Sequence, residues 1–307
     1  RTWWTPIELS SHVFYLDRAE KRVFEGFRQL GLPLPATLPP IGTLPTFQVN
    51  AQAIPVPGSA GKYAIAFETG FLALTSALAR ITAGVLAGRG GVAVGGQFLD
   101  LMFGQVVLGT SAHLHPDTFA VDQGSYELGE VGLRPVFEAF WMAHEYAHVA
   151  RGHYETIFKD PSVPLPELET EADVLALRVT LRAFDNPVRT LVAIGALLQV
   201  LQLFERGYEL IGEVVAAPQD GATHPTASDR FQSLLVAAAS ETTPTRHAEV
   251  VHWLGVHADT LRRYWAPLES ALPVARDSFP AGWVPRDPRE ERDALKRWVT
   301  LVGKHIT

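Results

Sequence analysis

Two histidines and a glutamate stand in the segment HEYAH, residues 144–148, within an otherwise apolar stretch of the chain. Successive residues of an α-helix advance by about 100°, so His144 and His148 lie about 40° apart, one turn above the other. Their imidazoles can therefore reach one metal ion together. Glu145 stands one step round, where it can contact a water molecule held by that ion. Two neutral nitrogen ligands and a general base are what a zinc hydrolase needs.

The segments around this motif decide between a metal site and two ordinary helical histidines, because a five-residue pattern also occurs by chance. FEAFWMA precedes the motif and VA follows it, so we expect a buried helix. Burying a glutamate and two histidines without partners costs several kcal/mol, which a metal ion would remove. Gly152 is a typical helix end just after the motif. These surroundings favour the metal site.

The acidic segment PELETEADVLAL, residues 166–177, supplies the candidate third ligand. Glu169 and Asp173 are spaced i, i+4 and share one face of a helix. We expect Glu169 to bind the metal and Asp173 to accept a hydrogen bond from the far nitrogen of a ligand histidine. The alternative is a solvated acidic first turn favoured by the helix dipole, and we assign Glu167 and Glu171 to it.

Arg151, His153 and Tyr154 follow the motif closely. A metzincin would carry glycine and histidine at the positions of Arg151 and Tyr154, so that class of peptidase is excluded. On a continuous helix, His153 would stand about 140° round from His148. We therefore predict that His153 faces away from His148, at the helix end or on the surface.

HEYAH and the later ETEAD, residues 169–173, match the HExxH and ExxAD motifs of gluzincins. More narrowly, the sequence resembles the CAAX-prenyl-protease/HtpX family of zinc metallopeptidases and its soluble relatives. NAQAIPVPGSAGKYAIAFETGFLAL, residues 50–74, is similar to the Asn-Ala loop, edge strand and Gly-led helix of that family. THPTASDRFQSLL, residues 223–235, is similar to its late His-Pro and Arg element. A kinship with the phage-exclusion type of HExxH peptidase is the alternative.

The resemblance implies a zincin-like metallopeptidase fold with an active-site helix and an edge strand. It also implies one Zn²⁺ per chain, held by three ligands: His144, His148 and Glu169. Glu145 would be the general base, Asn50 and His224 would lie near the substrate carbonyl, and Arg230 would hold the late element in place. For His224 the alternative is structural, since THPT is a good helix-start signal.

Apolar periodicity and helix breakers predict a mostly α chain with a small β-sheet, the α+β class. Strands are predicted at 46–50 and at 62–67, the latter as the edge strand, and residues 92–130 are less regular with strand-like pieces near 97–108. Helices are predicted at 17–31, 69–87, 133–151, 167–184, 186–208, 226–240, 246–270 and 289–303.

The connections between these elements are too short to divide the chain, so we expect a single metallopeptidase domain over residues 1–307. The family resemblance covers about residues 50–235. It leaves an insertion-like stretch at 88–130 and a helical C-terminal region at 241–307 unmatched.

Composition narrows the classes of function. Lys and Arg number 26 against 33 Asp and Glu, and the net charge of −7 argues against a nucleic-acid-binding face. The absence of cysteine excludes cysteine-ligated zinc and cysteine nucleophiles. Two apolar segments, 70–88 and 191–204, are interpreted as buried helices of a soluble protein rather than membrane spans. A cytoplasmic location is favoured, and a peripheral membrane contact stays open.

We therefore predict a zinc-dependent endopeptidase acting on a protein or peptide substrate by a metal-activated water, with Glu145 moving the proton. His224 would donate to the oxyanion, and the strand at 62–67 would bind an extended peptide by strand addition. One alternative is a non-proteolytic, zinc-stabilised interaction protein, disfavoured because a structural zinc site needs no base. The other is a metal hydrolase of small molecules, disfavoured by an exposed edge strand.

Overall fold

Helices pack around a small sheet in the described part of the chain. The computed structural model describes residues 6–32, 39–44, 51–56, 62–88, 92–102, 104, 106, 124, 127–160, 162–211, 225–278, 290, 293–294, 296–298 and 300. The elements in chain order are α1 (Pro6–Gln29), β1 (Ile41–Leu44), β2 (Ala51–Pro55), β3 (Tyr63–Glu68), α2 (Thr69–Leu86), α3 (Val92–Met102), a π-helical segment (Glu127–Leu133), α4 (Arg134–Arg151), α5 (His153–Lys159), α6 (Leu165–Ala183), α7 (Pro187–Leu210), α8 (Ala227–Glu241) and α9 (Pro244–Ser278). The predicted α+β class is confirmed.

The described residues form a sheet of three strands in the order β1-β3-β2. β1 pairs with β3 in parallel, and β2 pairs with β3 antiparallel, with Ala53 opposite Ile65. The prediction that 62–67 is the edge strand is therefore wrong, because among the described strands β3 is central and β2 is an edge. The sequence YAIAFE is almost wholly buried, as expected of a strand covered on both faces. The predicted strand at 46–50 lies outside the described residues.

The stretch predicted to contain strand-like pieces near 97–108 begins with helix α3 instead. Its glycines and β-branched residues weaken helix propensity, but Val94, Phe98 and Leu101 recur at helical spacing and are all buried. Gly95 permits close packing, since a Cβ there would lie 3.1 Å from the Tyr264 ring of α9. Tertiary packing thus overrides the local preference.

α4 is the helix that carries HEYAH, and it packs against α1, α2, α6 and the sheet. Ala143 and Ala147 of α4 and Ala172 and Ala176 of α6 are fully buried, and their small side chains let these two helices approach closely. On another face, the motif's Tyr146 is fully buried, and the Phe24 and Phe27 rings of α1 lie 5.2 and 6.5 Å from its ring. The motif helix is therefore held on several sides.

α2 and α7 are the two described helices long and apolar enough to cross a membrane, with mean hydropathies of 1.4 and 1.6. Within the protein, 94% of the apolar stretch of α2 and 67% of that of α7 are buried. Core helices of soluble proteins show the same properties, so this burial supports their interpretation as buried helices.

The C-terminal region is helical where the structure describes it. α9 includes Pro267 and Pro273 and extends beyond the predicted 246–270, and the described residues between 290 and 300 are also helical. Trp298 is fully buried, and its indole N–H donates to the Leu99 carbonyl of α3 at 3.2 Å. This region therefore packs onto the stretch that the resemblance left unmatched.

Candidate active site

α4 presents the motif from a buried helical segment that runs from Met142 to His148. Pro135 stands in its first turn, where a missing N–H costs no hydrogen bond. The helix ends at Gly152, as predicted, with a left-handed φ of 66° that glycine adopts without a Cβ clash. α5 begins immediately afterwards at His153.

The two motif histidines lie together with Glu169 of α6. Nε2 of His144 is 3.1 Å from Nε2 of His148. One carboxylate oxygen of Glu169 lies 3.3 Å from the first of these nitrogens, and the other lies 3.3 Å from the second. All three side chains are buried, and one candidate ligand atom from each lies within 4.8 Å of the others. This group could bind a metal ion.

The spacing of the group fits zinc. Bonds of about 2.0–2.1 Å to a tetrahedral zinc ion separate neighbouring ligand atoms by about 3.3 Å. The observed separations are 3.1 Å between the two nitrogens and 3.3 Å from each nitrogen to a different oxygen of Glu169. Two imidazoles with one carboxylate are also the donor set of a class of catalytic zinc sites. The residues therefore fit the metal in both distance and chemistry.

His144 is supported by a buried charged pair. Its Nδ1 lies 2.9 Å from Asp173, and Arg230 of α8 donates to both oxygens of Asp173 at 2.7 and 2.6 Å. The Arg230 guanidinium also lies 4.8 Å from the centre of the Trp141 ring. Burial opposes the charged form of His144, but hydrogen bonds to Asp173 and Glu169 outweigh it and raise the pKa to about 9. The carboxylates thus favour positive charge here, as a metal ion would provide.

His148 is supported by a third histidine. Nδ1 of His153 lies 3.0 Å from Nδ1 of His148, and His153 is only 2% exposed. The prediction that His153 faces away is therefore wrong, because it assumed a continuous helix where Gly152 redirects the chain. Burial lowers the pKa of both histidines, which favours their neutral forms.

Glu171 lies behind His153 at the surface. Its Oε2 is 3.4 Å from Nε2 of His153, and its Oε1 is 3.1 Å from Nε of Arg151. Glu171 was assigned to a solvated acidic turn, and it is indeed exposed, but the carboxylate has partners on α4 and α5.

Glu145 lies beside the outer edge of the sheet. Its Oε2 accepts a hydrogen bond of 2.8 Å from the N–H of Ala53 in β2. Since β2 pairs with β3 on its other side, this carboxylate faces the edge where a further strand could add. Glu145 is 6% exposed and neighbours His144 in sequence. A carboxylate here can exchange a proton with a group bound between the histidines and β2.

Tyr154 is a neighbour of the site that the sequence did not single out for function. Its ring centre lies 5.7 Å from that of His148. Burial raises the pKa of the phenol far above its usual value, the charges of Glu145 and Glu169 add to the rise, and the Ala53 N–H opposes it. The hydroxyl is therefore protonated at neutral pH and can donate a hydrogen bond.

A cavity of about 360 Å³ opens beside these groups. Its polar wall includes His144, Glu145 and Glu169. Further walls come from the long apolar helices α2 and α7 and include Phe71, Leu74, Leu78, Leu197, Leu201 and Phe204. A bound molecule with a large apolar group can therefore lie against the candidate catalytic residues.

Asn50 and His224, the two predicted residues near the substrate carbonyl, lie outside the described residues. Their sequence neighbours Ala51 and Pro225 both line the cavity. Both predicted segments thus reach the site, although their roles stay predictions.

A buried group that could bind a metal thus lies beside a carboxylate and the outer edge of β2. Residues 137–250 match the family model of Peptidase U49, and this match supports a peptidase family. The matched residues include HEYAH, ETEAD and Arg230, whereas β2 and α2 precede them. No curated protein and no solved structure matches the chain.

Proposed function

We propose that this chain is a zinc-dependent endopeptidase of the gluzincin type. The observation that carries the proposal is the group formed by His144, His148 and Glu169 at zinc-ligand spacing, with Glu145 beside the edge of β2. Three protein ligands leave a fourth position for reactants, as in catalytic rather than structural zinc sites. When bound, a zinc ion would polarise the scissile carbonyl and lower the pKa of a water molecule. The narrower resemblance to the CAAX-prenyl-protease/HtpX family stays a prediction.

Glu145 would take the proton of the attacking water and pass it to the leaving amine. Its hydrogen bond from the Ala53 N–H supports this role, because the bond holds the carboxylate between the metal group and the outer edge of β2. The base would therefore be in place before substrate binds.

β2 would bind the substrate by strand addition, the role first predicted for the strand at 62–67. An extended peptide pairing with the outer edge of Ala51–Pro55 would compete with Glu145 for the Ala53 N–H and would therefore pass directly beside that carboxylate. Strand addition uses main-chain hydrogen bonds, which any peptide can make, so it supports an endopeptidase rather than a hydrolase of small molecules.

Three side chains would stabilise the oxyanion or position the substrate. The Tyr154 phenol is protonated and close to His148, which supports a role as an oxyanion donor. His224 and Asn50 would contribute from the segments next to Pro225 and Ala51 at the cavity wall. Arg230 would support the site from behind, because it ties α8 to α6 through Asp173.

The substrate would be a protein or peptide with a large apolar side chain next to the cleaved bond. The apolar walls of the cavity support this choice, and the net charge of −7 supports neither a nucleic-acid partner nor an acidic one. Cytoplasmic location stays a prediction.

Elemental analysis and peptide digestion test the proposal together. The purified chain should contain one zinc ion and should cleave a mixed peptide library, as seen by mass spectrometry. Removal of zinc with a chelator should abolish cleavage, and added zinc should restore it. Undiminished cleavage by the zinc-depleted chain would contradict the proposal.

A further inference from the structure

His153 is a buried histidine that the proposed reaction does not yet use. It begins α5 directly after the left-handed Gly152, and this turn returns its ring to the site. Its ring centre lies 5.0 Å from that of His148, with the two planes at 79°. The two Nδ1 atoms lie 3.0 Å apart, within hydrogen-bond distance.

The positions of the hydrogens follow from the geometry. Nε2 of His148 faces His144 and Glu169, so it must carry the lone pair if it binds zinc. The hydrogen of a neutral imidazole is then on Nδ1, and Nδ1 faces His153. Nδ1 of His153 must therefore accept, which places the hydrogen of His153 on Nε2. That atom faces the Glu171 carboxylate at 3.4 Å.

We propose that His153 is a positioning residue of the zinc site. By accepting the Nδ1–H of His148, it holds that ligand in the tautomer and ring orientation that present Nε2 to the metal. The Glu171 carboxylate, 3.4 Å from Nε2 on the far side of His153, favours the tautomer that carries its hydrogen on Nε2. The inference rests on the proposed ligand set and extends it to a residue that is neither a ligand nor a base.

If the role of His153 were purely structural, its substitutions would be expected to have different effects. A buried histidine that only fills space can be replaced by a residue of similar volume, and the hydrogen-bonding capacity of the replacement would not matter. Partners of ligand histidines behave differently, since their loss typically costs 10–100-fold in metal affinity. Two substitutions separate these roles.

His153→Leu keeps much of the volume but has no acceptor, whereas His153→Asn is smaller but keeps an oxygen where Nδ1 stood. Zinc affinity of the full-length chain is measured by competition with a chelator, alongside the melting temperature of the zinc-free protein. We expect His153→Leu to bind zinc about 10–100-fold more weakly and His153→Asn to retain most of the affinity. A role in packing alone reverses the order, because Asn leaves the larger cavity.

Nuclear magnetic resonance of the zinc-loaded chain gives a readout beyond affinity. The His148 Nδ1–H should appear as a slowly exchanging ring signal in the parent and in His153→Asn, and it should be lost or exchange rapidly in His153→Leu. Should His153→Leu fail to fold, Glu171→Ala changes an exposed side chain and should weaken zinc binding by about tenfold, with Arg151→Ala as its control.

Three results would overturn the inference: equal zinc affinity in the parent and His153→Leu, equal losses in both His153 variants, or unchanged affinity in Glu171→Ala. In each case the parent still binds zinc and the proposed function stands. A parent chain that binds no zinc refutes the proposed function itself, and the positioning role with it.

Discussion

The two histidines of the candidate zinc site are supported in opposite ways. Behind His144 stands Asp173, a fully buried carboxylate that Arg230 neutralises with two hydrogen bonds. Behind His148 stands His153, a neutral ring whose Nε2 lies 3.4 Å from a carboxylate oxygen of the exposed Glu171. The first support is buried and charged and links α6 to α8. The second contacts its ligand through an uncharged ring from the turn after α4 and ends at the exposed Glu171 of α6.

This difference separates two roles that usually coincide at a metal site: stabilising the fold and positioning the metal ligands. Removing one member of a buried ion pair leaves an uncompensated charge and destabilises the fold. Removing a neutral acceptor leaves one N–H unsatisfied, at a smaller cost. The half of the site around His144 therefore serves both the fold and the metal, whereas the half around His148 serves mainly the metal.

Glu169 is common to both halves, so its loss should have the largest effect. Glu169→Ala should lose most of the bound zinc, because two histidines alone make a weak site. Zinc content is measured by elemental analysis after dialysis, with Glu167→Ala, an exposed glutamate in the first turn of the same helix, as the control. Full zinc content in Glu169→Ala would point to another ligand, with Glu171 the first to test.

Glu145 belongs to neither support, so its substitution should leave both halves intact and abolish the reaction. A glutamine has nearly the same shape but cannot take a proton from water. Glu145→Gln should reduce peptide cleavage by about 10²–10⁴-fold while retaining the zinc and the melting temperature of the parent. If this variant cleaves at the parent rate, another residue is the base.

Arg230→Met and Arg151→Met test the difference between the halves directly, since Arg230 pairs with the carboxylate behind His144 and Arg151 pairs with the carboxylate behind His153. Arg230→Met leaves the buried Asp173 without its cationic partner and should lower the free energy of unfolding by about 3–5 kcal/mol. Arg151→Met removes an exposed pair and should change it by less than about 1 kcal/mol. Urea unfolding of the zinc-free proteins measures both. Equal effects of the two substitutions would remove the proposed distinction.

His257 is a buried histidine outside both halves of the site. Burial lowers its pKa from 6.5 to about 4, although its Nδ1 lies 2.7 Å from the Gln199 carbonyl oxygen. The unfolded chain therefore binds a proton at a higher pH than the folded chain, so stability falls as pH drops from about 6.5 to 4, by roughly 3 kcal/mol. We expect His257→Gln to lack this part of the pH dependence in urea unfolding between those limits. An unchanged difference between pH 7 and pH 4 would contradict it.

The parts of the site that the sequence predicted are those set by local helical spacing. His144 and His148 lie one turn apart on one helix, as do Glu169 and Asp173 on another, so the periodicity of an α-helix already groups them. The motif spacing then brings the two pairs together through one short helix, α5, and a short loop. Most helix positions were predicted for the same reason.

The features that the sequence did not predict depend on a change of chain direction or on pairing between segments that are distant in sequence. The position of His153 and Tyr154 depends on Gly152, which was recognised as a helix end without following where the chain goes next. The order of the strands depends on pairing with β1, a short segment of weak strand character. The contribution of Ala53 is a backbone N–H, for which a side-chain pattern carries no signal.

Gly152 also extends the sequence motif of this site beyond HEYAH. Because its left-handed turn folds the next residues back, HEYAHVARGH acts as one unit of ten residues in which the last histidine touches the second. A side chain at Gly152 would have room, with Glu155 3.5 Å away, but the left-handed backbone would cost about 1–2 kcal/mol. A sequence search that demands Gly-His four residues after HExxH should therefore select chains with this bent, three-histidine geometry and leave out those whose helix continues straight past the metal.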